Sequence, residues 1–154
     1  MTDDAIQDRY APHTTCFGCG PANRDGLRIK TVIEDDVGVC EFHPEPHHQA
    51  FEGFVNGGII GVVFDCHCNW TAAWYLMQRT GTDVPPSTVT AKLEVRYLAP
   101  TRWDRPVVFR ARVTDASDRR ATVEGTAEVD GQVTAECTAV FVAVGPGHPA
   151  HGRW

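Results

Sequence analysis

Asp65 is the carboxylate in this sequence with the least ordinary surroundings. It closes the run Ile59-Ile60-Gly61-Val62-Val63-Phe64-Asp65, where an ionised side chain is costly unless something pairs it or uses it. A carboxylate so placed is a candidate general base or nucleophile. The competing interpretation is a structural acid satisfied by hydrogen bonds. Eight residues earlier, Gly57-Gly58 falls where the same apolar segment begins. A helix starting there leaves backbone N–H groups free at the positive end of its dipole, and glycine lets a carbonyl oxygen approach closely. This is a candidate oxyanion site, although tight packing at the helix start would also call for glycine. Eight residues along one helix correspond to ~12 Å, so one carbonyl cannot meet both groups. If both act on it, Gly57 of one subunit faces Asp65 of another, which predicts two equivalent sites across a two-fold dimer.

Soft ligands gather at two places. His13, Cys16 and Cys19 form H-x2-C-x2-C, and Cys66-His67-Cys68 adds three more. Zinc at His13, Cys16 and Cys19 is the metal alternative. Only one C-x2-C is present, however, with no second pair at the usual spacing, so buried free thiols and no cofactor are expected. A catalytic Cys66 or Cys68 is disfavoured because an apolar helix raises a thiol's pKa. His47 and His48 lie in a loop rich in Pro and His, and His48 is a candidate for orienting that loop or binding ligand. Lys92, Arg102 and Arg105 are candidate phosphate contacts, although surface location alone accounts for them equally well.

These residues need elements to hold them. Residues 57–79 are apolar on nearly every side, contain no Pro and exceed ordinary strand length, which predicts a long, mostly buried helix. Gly81 and Pro85-Pro86 end it. Before it, residues 27–33 and 37–42 predict two strands joined at Glu34-Asp35-Asp36, followed by a loop over 43–52. After it, Val89, Ala91, Leu93, Val95 and Tyr97 alternate with polar residues as a half-buried strand does. Residues 107–113, 121–129 and 133–144 predict three more strands, the last two joined by the hairpin dipeptide Asp130-Gly131. One buried helix among antiparallel strands must be covered by the sheet. The fold class is therefore α+β, with five to six strands wrapped around a central helix.

At 154 residues, with 42% hydrophobic and 22% charged content, the chain fits one domain able to bury a real core. The ordered part is expected over about 15–145, between a polar N-terminal arm and a flexible C-terminal tail over 145–154. The net charge of −6 is spread along the chain, giving no footprint for nucleic acid or an anionic membrane. The first ten residues are polar and acidic, unlike a secretory signal, and no apolar run is long enough to span a bilayer. A cytoplasmic protein is expected, in which six cysteines stay reduced.

With this outline, several motifs resemble the hotdog-fold acyl-CoA thioesterases, in particular the phenylacetate-pathway subgroup, over most of the chain. They are Cys16-Phe17-Gly18-Cys19-Gly20 with Asn23 and Gly26-Leu27; His48-Gln49-Ala50-Phe51-Glu52-Gly53-Phe54-Val55; Asn56-Gly57-Gly58; Asp65; and Val89-Thr90-Ala91 leading to Tyr97-Leu98-Ala99-Pro100. The resemblance implies a hotdog fold, an acyl-CoA substrate, a homodimer or dimer of dimers, and hydrolysis to a carboxylic acid and free CoA. It implies that Asp65 is the base or nucleophile, that Gly57 polarises the carbonyl, and that the Thr90 hydroxyl positions the water or the carboxylate. The family usually has His where this chain has Asn56, which alters the hydrogen bond at the helix start. Ala50 also departs from the pattern and leaves Gln49 as the nearest amide for substrate or water. Gly58, His48, Phe54 and Arg102 complete the substrate-contact candidates, with Phe51, Trp70 and Trp74 as further pocket walls or simply core. Two alternatives stand beside hydrolysis: a hotdog hydratase or dehydratase using His48 with Asp65, and a non-hydrolytic acyl-thioester binding protein.

Overall fold

The structure, a computed structural model, describes residues 5–154. Helix α1 spans Ile6–Tyr10 and helix α2 spans Gly57–Thr80. The strands are β1 (Val32–Glu34), β2 (Val37–Phe42), β3 (Gln49–Phe51), β4 (Phe54–Val55), β5 (Thr88–Tyr97), β6 (Val107–Ala116), β7 (Arg120–Val129) and β8 (Gln132–Ala143). Six of them form one antiparallel sheet in the order β1-β2-β6-β7-β8-β5, and β3 with β4 make a small separate hairpin. The sheet curves around α2, as the α+β expectation required.

Helix α2 forms where the apolar run predicts it. Asn56 caps its start by accepting the Gly58 N–H on Oδ1 at 2.7 Å, a contact worth about 1 kcal/mol. Gly81 ends it in the left-handed conformation, at φ 69°, which glycine adopts without a Cβ clash. The two tight hairpins are set by acids that tolerate positive φ: Asp35 and Asp36 at φ 49° and 64°, and Asp130 with Gly131 at φ 49° and 83°. Both turns therefore have the twist that suits antiparallel strands.

The core lies between the buried face of α2 and the sheet. Phe64 of α2 meets Phe109 of β6 edge to face at 5.0 Å, and both are fully buried. Burying each such side chain contributes about 1.5–3 kcal/mol. His67 is also fully buried, and burial pushes its pKa down to about 4, so the ring is neutral. Its Nε2 lies 3.1 Å from the Gly38 carbonyl and its Nδ1 2.9 Å from Thr31 Oγ1. Because a carbonyl only accepts, Nε2 carries the proton and Nδ1 accepts from Thr31. Gln7 closes the network, donating to Thr31 Oγ1 at 3.0 Å and accepting the Thr31 N–H at 2.9 Å. Gly38 is fixed by the same helix face, since a Cβ there would lie 2.1 Å from Thr71 Oγ1.

Three expectations change. Only the end of the predicted first strand pairs in the sheet; Leu27 and Ile29 instead donate to the carbonyls of Phe17 and Gly18, tying this segment to the cysteine loop. The polar opening contains α1, whose Ile6 and Gln7 are buried, so ordered structure begins well before residue 15. The tail over 145–154 is laid against the domain: the Trp154 ring lies 5.1 Å from Trp70, and the Gly152 N–H donates to Ser87 Oγ at 3.0 Å. Apolar and hydrogen-bonding partners for a Gly- and Pro-rich tail are tertiary, which is why composition alone suggested looseness.

Candidate active site

Gly57, Gly61, Asp65 and Asn69 recur every four residues along α2 and so share one stripe of the helix. Strand β5, at the edge of the sheet, runs beside that stripe and meets it at three points. The Tyr97 hydroxyl donates to the Gly57 carbonyl at 2.5 Å, Thr90 Oγ1 donates to Asp65 Oδ1 at 2.6 Å, and Thr88 Oγ1 donates to Asn69 Oδ1 at 2.5 Å.

A bulge makes these contacts possible. Thr90 pairs with Phe141 and Lys92 with Val140, leaving Ala91 as the extra residue. An extra residue reverses which side chains face the helix. Before the bulge the even positions Thr88 and Thr90 point to α2; beyond it the odd positions do, with Leu93 and Val95 on the core and Tyr97 at the helix start. The unbroken alternation from Val89 to Tyr97 expected from the sequence fails at Ala91, which is exposed. Without that failure Thr90 would face away from Asp65.

The electrostatics follow from this placement. Asp65 is half-buried, and burial raises its pKa above the ordinary carboxylate value; the Thr90 hydrogen bond pulls it back, and Cys16 nearby pushes it further up. Among the described residues Oδ2 of Asp65 has no hydrogen-bond partner, so one carboxylate oxygen is held and the other is available. At the helix start the Gly58 N–H is taken by Asn56. Of the two N–H groups anticipated for a carbonyl oxygen, only that of Gly57 is unclaimed among the described residues. Asn56 thus occupies one of the two N–H groups by capping the helix.

Comparison with known proteins gives the family and the fold. The family model described as Thioesterase superfamily matches residues 52–136, a span that includes the helix start, Asp65 and β5. The chain belongs to the thioesterase superfamily. A crystal structure of a thioesterase superfamily protein from Shewanella loihica PV-4 is similar at 27% identity and TM-score 0.71, over 90% of this chain and 99% of that one. Two others share the fold. A phenylacetic acid degradation-related protein from Ralstonia eutropha JMP134 has 19% identity and TM-score 0.64, over 76% of this chain and 86% of its own. The E. coli PaaI protein from the phenylacetic acid degradation operon has 11% identity and TM-score 0.66, over 77% and 81%. No curated protein matches the sequence. The architecture is the hotdog fold of thioesterases, and membership supports acyl-thioester hydrolysis as the general chemistry. No helix of the described residues is long and apolar enough to cross a membrane.

Other residues singled out in the sequence have different positions. Gln49 spends both ends of its amide on its own loop, donating to the Pro46 carbonyl and accepting the Gly53 N–H, each at 2.8 Å. It braces the loop, with its oxygen and one of its two N–H groups engaged there. His48 is buried; its Nδ1 accepts the Glu45 N–H at 2.9 Å and its carbonyl accepts the Asn56 N–H at 2.8 Å. It orients the approach to the helix, and among the described residues it makes no hydrogen bond to Asp65 of its own chain. Phe54 is half-buried against exposed Phe51, with rings 5.3 Å apart. Trp70 is core, donating to Cys19 Sγ. Arg102 is held by Asp104 through two contacts of 2.9 and 2.6 Å, Arg105 pairs with Asp130, and Lys92 with Glu94. All three pairs are solvent-exposed, so each cation already has a carboxylate neighbour that a phosphate would have to displace or share.

Tyr97 and Asn69 were not anticipated at the site. The signal for Asn69 was the four-residue spacing of small and polar positions through an apolar helix, which marks a face with a polar neighbour, and that for Tyr97 was its place in the alternation of β5. Two sizeable cavities lie elsewhere: one of about 1040 Å³ bordered by Glu94, Arg96, Arg110 and Arg112, the other of about 440 Å³ bordered by Tyr10, Trp70, Pro86 and Trp154. The Asp65 stripe lines neither and lies open along β5.

Proposed function

We propose that this chain hydrolyses acyl-CoA thioesters to a carboxylic acid and free CoA, in a homodimer that builds each site from two subunits. The observation that carries this reading is the Thr90–Asp65 hydrogen bond of 2.6 Å, which fixes one carboxylate oxygen and leaves the other available. In the general-base form, Asp65 Oδ2 takes a proton from water while the water oxygen attacks the thioester carbon. Charge developing on the carbonyl oxygen is met by the Gly57 N–H and the helix dipole. The carbon–sulfur bond then breaks, and the leaving thiolate recovers the proton from Asp65. In the nucleophilic form Asp65 attacks the carbon directly and the carbon–sulfur bond breaks to expel CoA thiolate; water then hydrolyses the resulting anhydride to the acid, regenerating the Asp65 carboxylate and supplying the proton the thiolate takes up.

Distance and the open edge support the dimer. Gly57 and Asp65 are separated by ~12 Å on one helix, so the N–H serving each Asp65 comes from a partner subunit. Strand β5 offers ten residues with one unpaired backbone edge, the kind of edge that native proteins cover. A second copy laid against β5 would also enclose the open Asp65 stripe. Six free cysteines and a CoA substrate both suit a cytosolic setting.

A panel of aromatic and aliphatic acyl-CoAs, followed by release of free thiol, tests the reading. Thiol release that is lost in Asp65→Asn supports it. Hydration of an enoyl-CoA without thiol release, or acyl-CoA binding with no turnover, would replace it with one of the alternatives.

A further inference from the structure

Three thiols that the hydrolytic chemistry does not use meet beside Asp65. Cys16 and Cys19 come from the loop preceding β1 and Cys66 from α2, yet their Sγ atoms all lie within 4.8 Å of one another. The Cys16 and Cys66 sulfurs are 3.7 Å apart. Thiolates bound to one zinc ion at ~2.3 Å stand about 3.8 Å apart at tetrahedral corners. A disulfide would draw two of them to ~2.05 Å and leave the third unused.

The loop is shaped around these sulfurs. The Gly20 N–H donates to the Cys16 carbonyl at 2.8 Å, closing a turn over the two cysteines. A Cβ on Gly20 would lie 2.5 Å from the Cys16 nitrogen and the Thr14 carbonyl oxygen, and one on Gly18 would lie 2.5 Å from Cys66 Sγ. Glycine at both places is what lets the turn close and press against the helix. Trp70 Nε1–H donates to Cys19 Sγ at 3.3 Å, the kind of outer contact that holds a ligand sulfur in place.

We infer that Cys16, Cys19 and Cys66 bind one thiophilic divalent metal ion, zinc foremost, with a fourth coordination position open beside exposed Cys16. His13, the ligand suggested by sequence spacing, lies outside the group. Its place is taken by Cys66, which is remote in sequence and brought in by α2. Such an ion ties the segment preceding β1 to the helix one residue from Asp65, and its binding expels thiol protons. The inference is independent of the hydrolytic proposal, since metal loading is measured without turnover.

The test uses the full chain, purified without a metal-affinity step. Metal content is measured by plasma mass spectrometry, and chelator-treated, reduced protein is titrated with Co2+. The expected result is one zinc per chain as isolated and, on titration, a near-ultraviolet sulfur-to-cobalt band saturating at one equivalent. Cys16→Ser, at an exposed position where folding is least at risk, should abolish stoichiometric zinc and weaken the band. Cys66→Ser should do the same if circular dichroism shows it folded, whereas Cys40→Ala, outside the cluster, should leave both intact. A metal-free chain with no cobalt band when reduced would overturn the inference. So would a Cys16–Cys66 or Cys16–Cys19 disulfide found by mass spectrometry in place of metal, or unchanged zinc in Cys16→Ser.

Discussion

Thr90 earns a role only if it acts through Asp65, and a double-mutant cycle separates that role from any other. Thr90→Val keeps the shape of the side chain and removes the hydroxyl that donates to Asp65 Oδ1 at 2.6 Å. A hydrogen bond to a charged group contributes about 1.5–3 kcal/mol, so losing it should lower kcat/KM roughly 10- to 150-fold at 1.36 kcal/mol per decade. Thr90→Ser retains the donor and should stay within a few fold of wild type. Asp65→Asn removes the base and should cost about 10²–10⁴. The combined variant should then be no worse than Asp65→Asn alone, because the hydroxyl has no carboxylate left to hold. Independent sites would instead multiply their losses. The assay is release of free CoA at several substrate concentrations, to separate kcat from KM.

Stability supplies the control for that cycle. Burial raises the folded pKa of Asp65, so ionising it at neutral pH weakens the fold relative to the unfolded chain. Asparagine carries no charge, and Asp65→Asn should be at least as resistant to urea at pH 7 as wild type. Full activity in a folded Asp65→Asn variant would refute the chemistry. An equal Thr90→Val loss on the wild-type and Asp65→Asn backgrounds would refute the coupling.

Gly57→Pro removes only the N–H proposed for the carbonyl oxygen: proline is favoured at the first helical position, and Asn56 at φ −58°, ψ 132° has the extended conformation that proline requires before it. Activity should fall about 10²- to 10³-fold, and subunits reassorted at random with Asp65→Asn should regain about a quarter of wild-type activity, since half the dimers would hold one intact site; no recovery in a mixed dimer would place both groups in one subunit. His67 is buried neutral with its pKa pushed from 6.5 down to about 4, so the unfolded chain takes up a proton first as pH falls. Stability should therefore decline by about 3 kcal/mol between pH 6.5 and 4, as read by urea melts in chelator and reductant, and a flat profile would remove His67 as the cause. Gly38→Ala should cost about 1–3 kcal/mol, because its Cβ would fall 2.1 Å from buried Thr71 Oγ1; a melting temperature equal to wild type would show that the strand shifts freely.

What the sequence revealed and what it hid divide along the range of the interactions. Helix α2 was legible because its length, its apolar run and its glycine stop are local, and the two positive-φ hairpins were legible for the same reason. The Asp65 stripe was half legible: the four-residue spacing of Gly57, Gly61, Asp65 and Asn69 is in the sequence, but what faces it depends on an unpaired residue in β5. One extra residue at Ala91 decides whether Thr90 or Val89 meets the helix, and strand propensity does not record a bulge. The cysteine cluster shows the same limit more sharply. Cys16 and Cys19 announce themselves by spacing, and His13 is the obvious third ligand by the same rule. The third sulfur comes instead from α2, because Gly18 lets the loop close onto the helix at Cys66. Gln49 and Arg102 show how local partners enter the account. Both are polar groups near a candidate site in sequence, and both already have hydrogen-bond partners two to four residues away. A residue type at a suggestive position marks an available chemistry only once its local hydrogen bonds are accounted for. At Asp65 they are, and one oxygen remains.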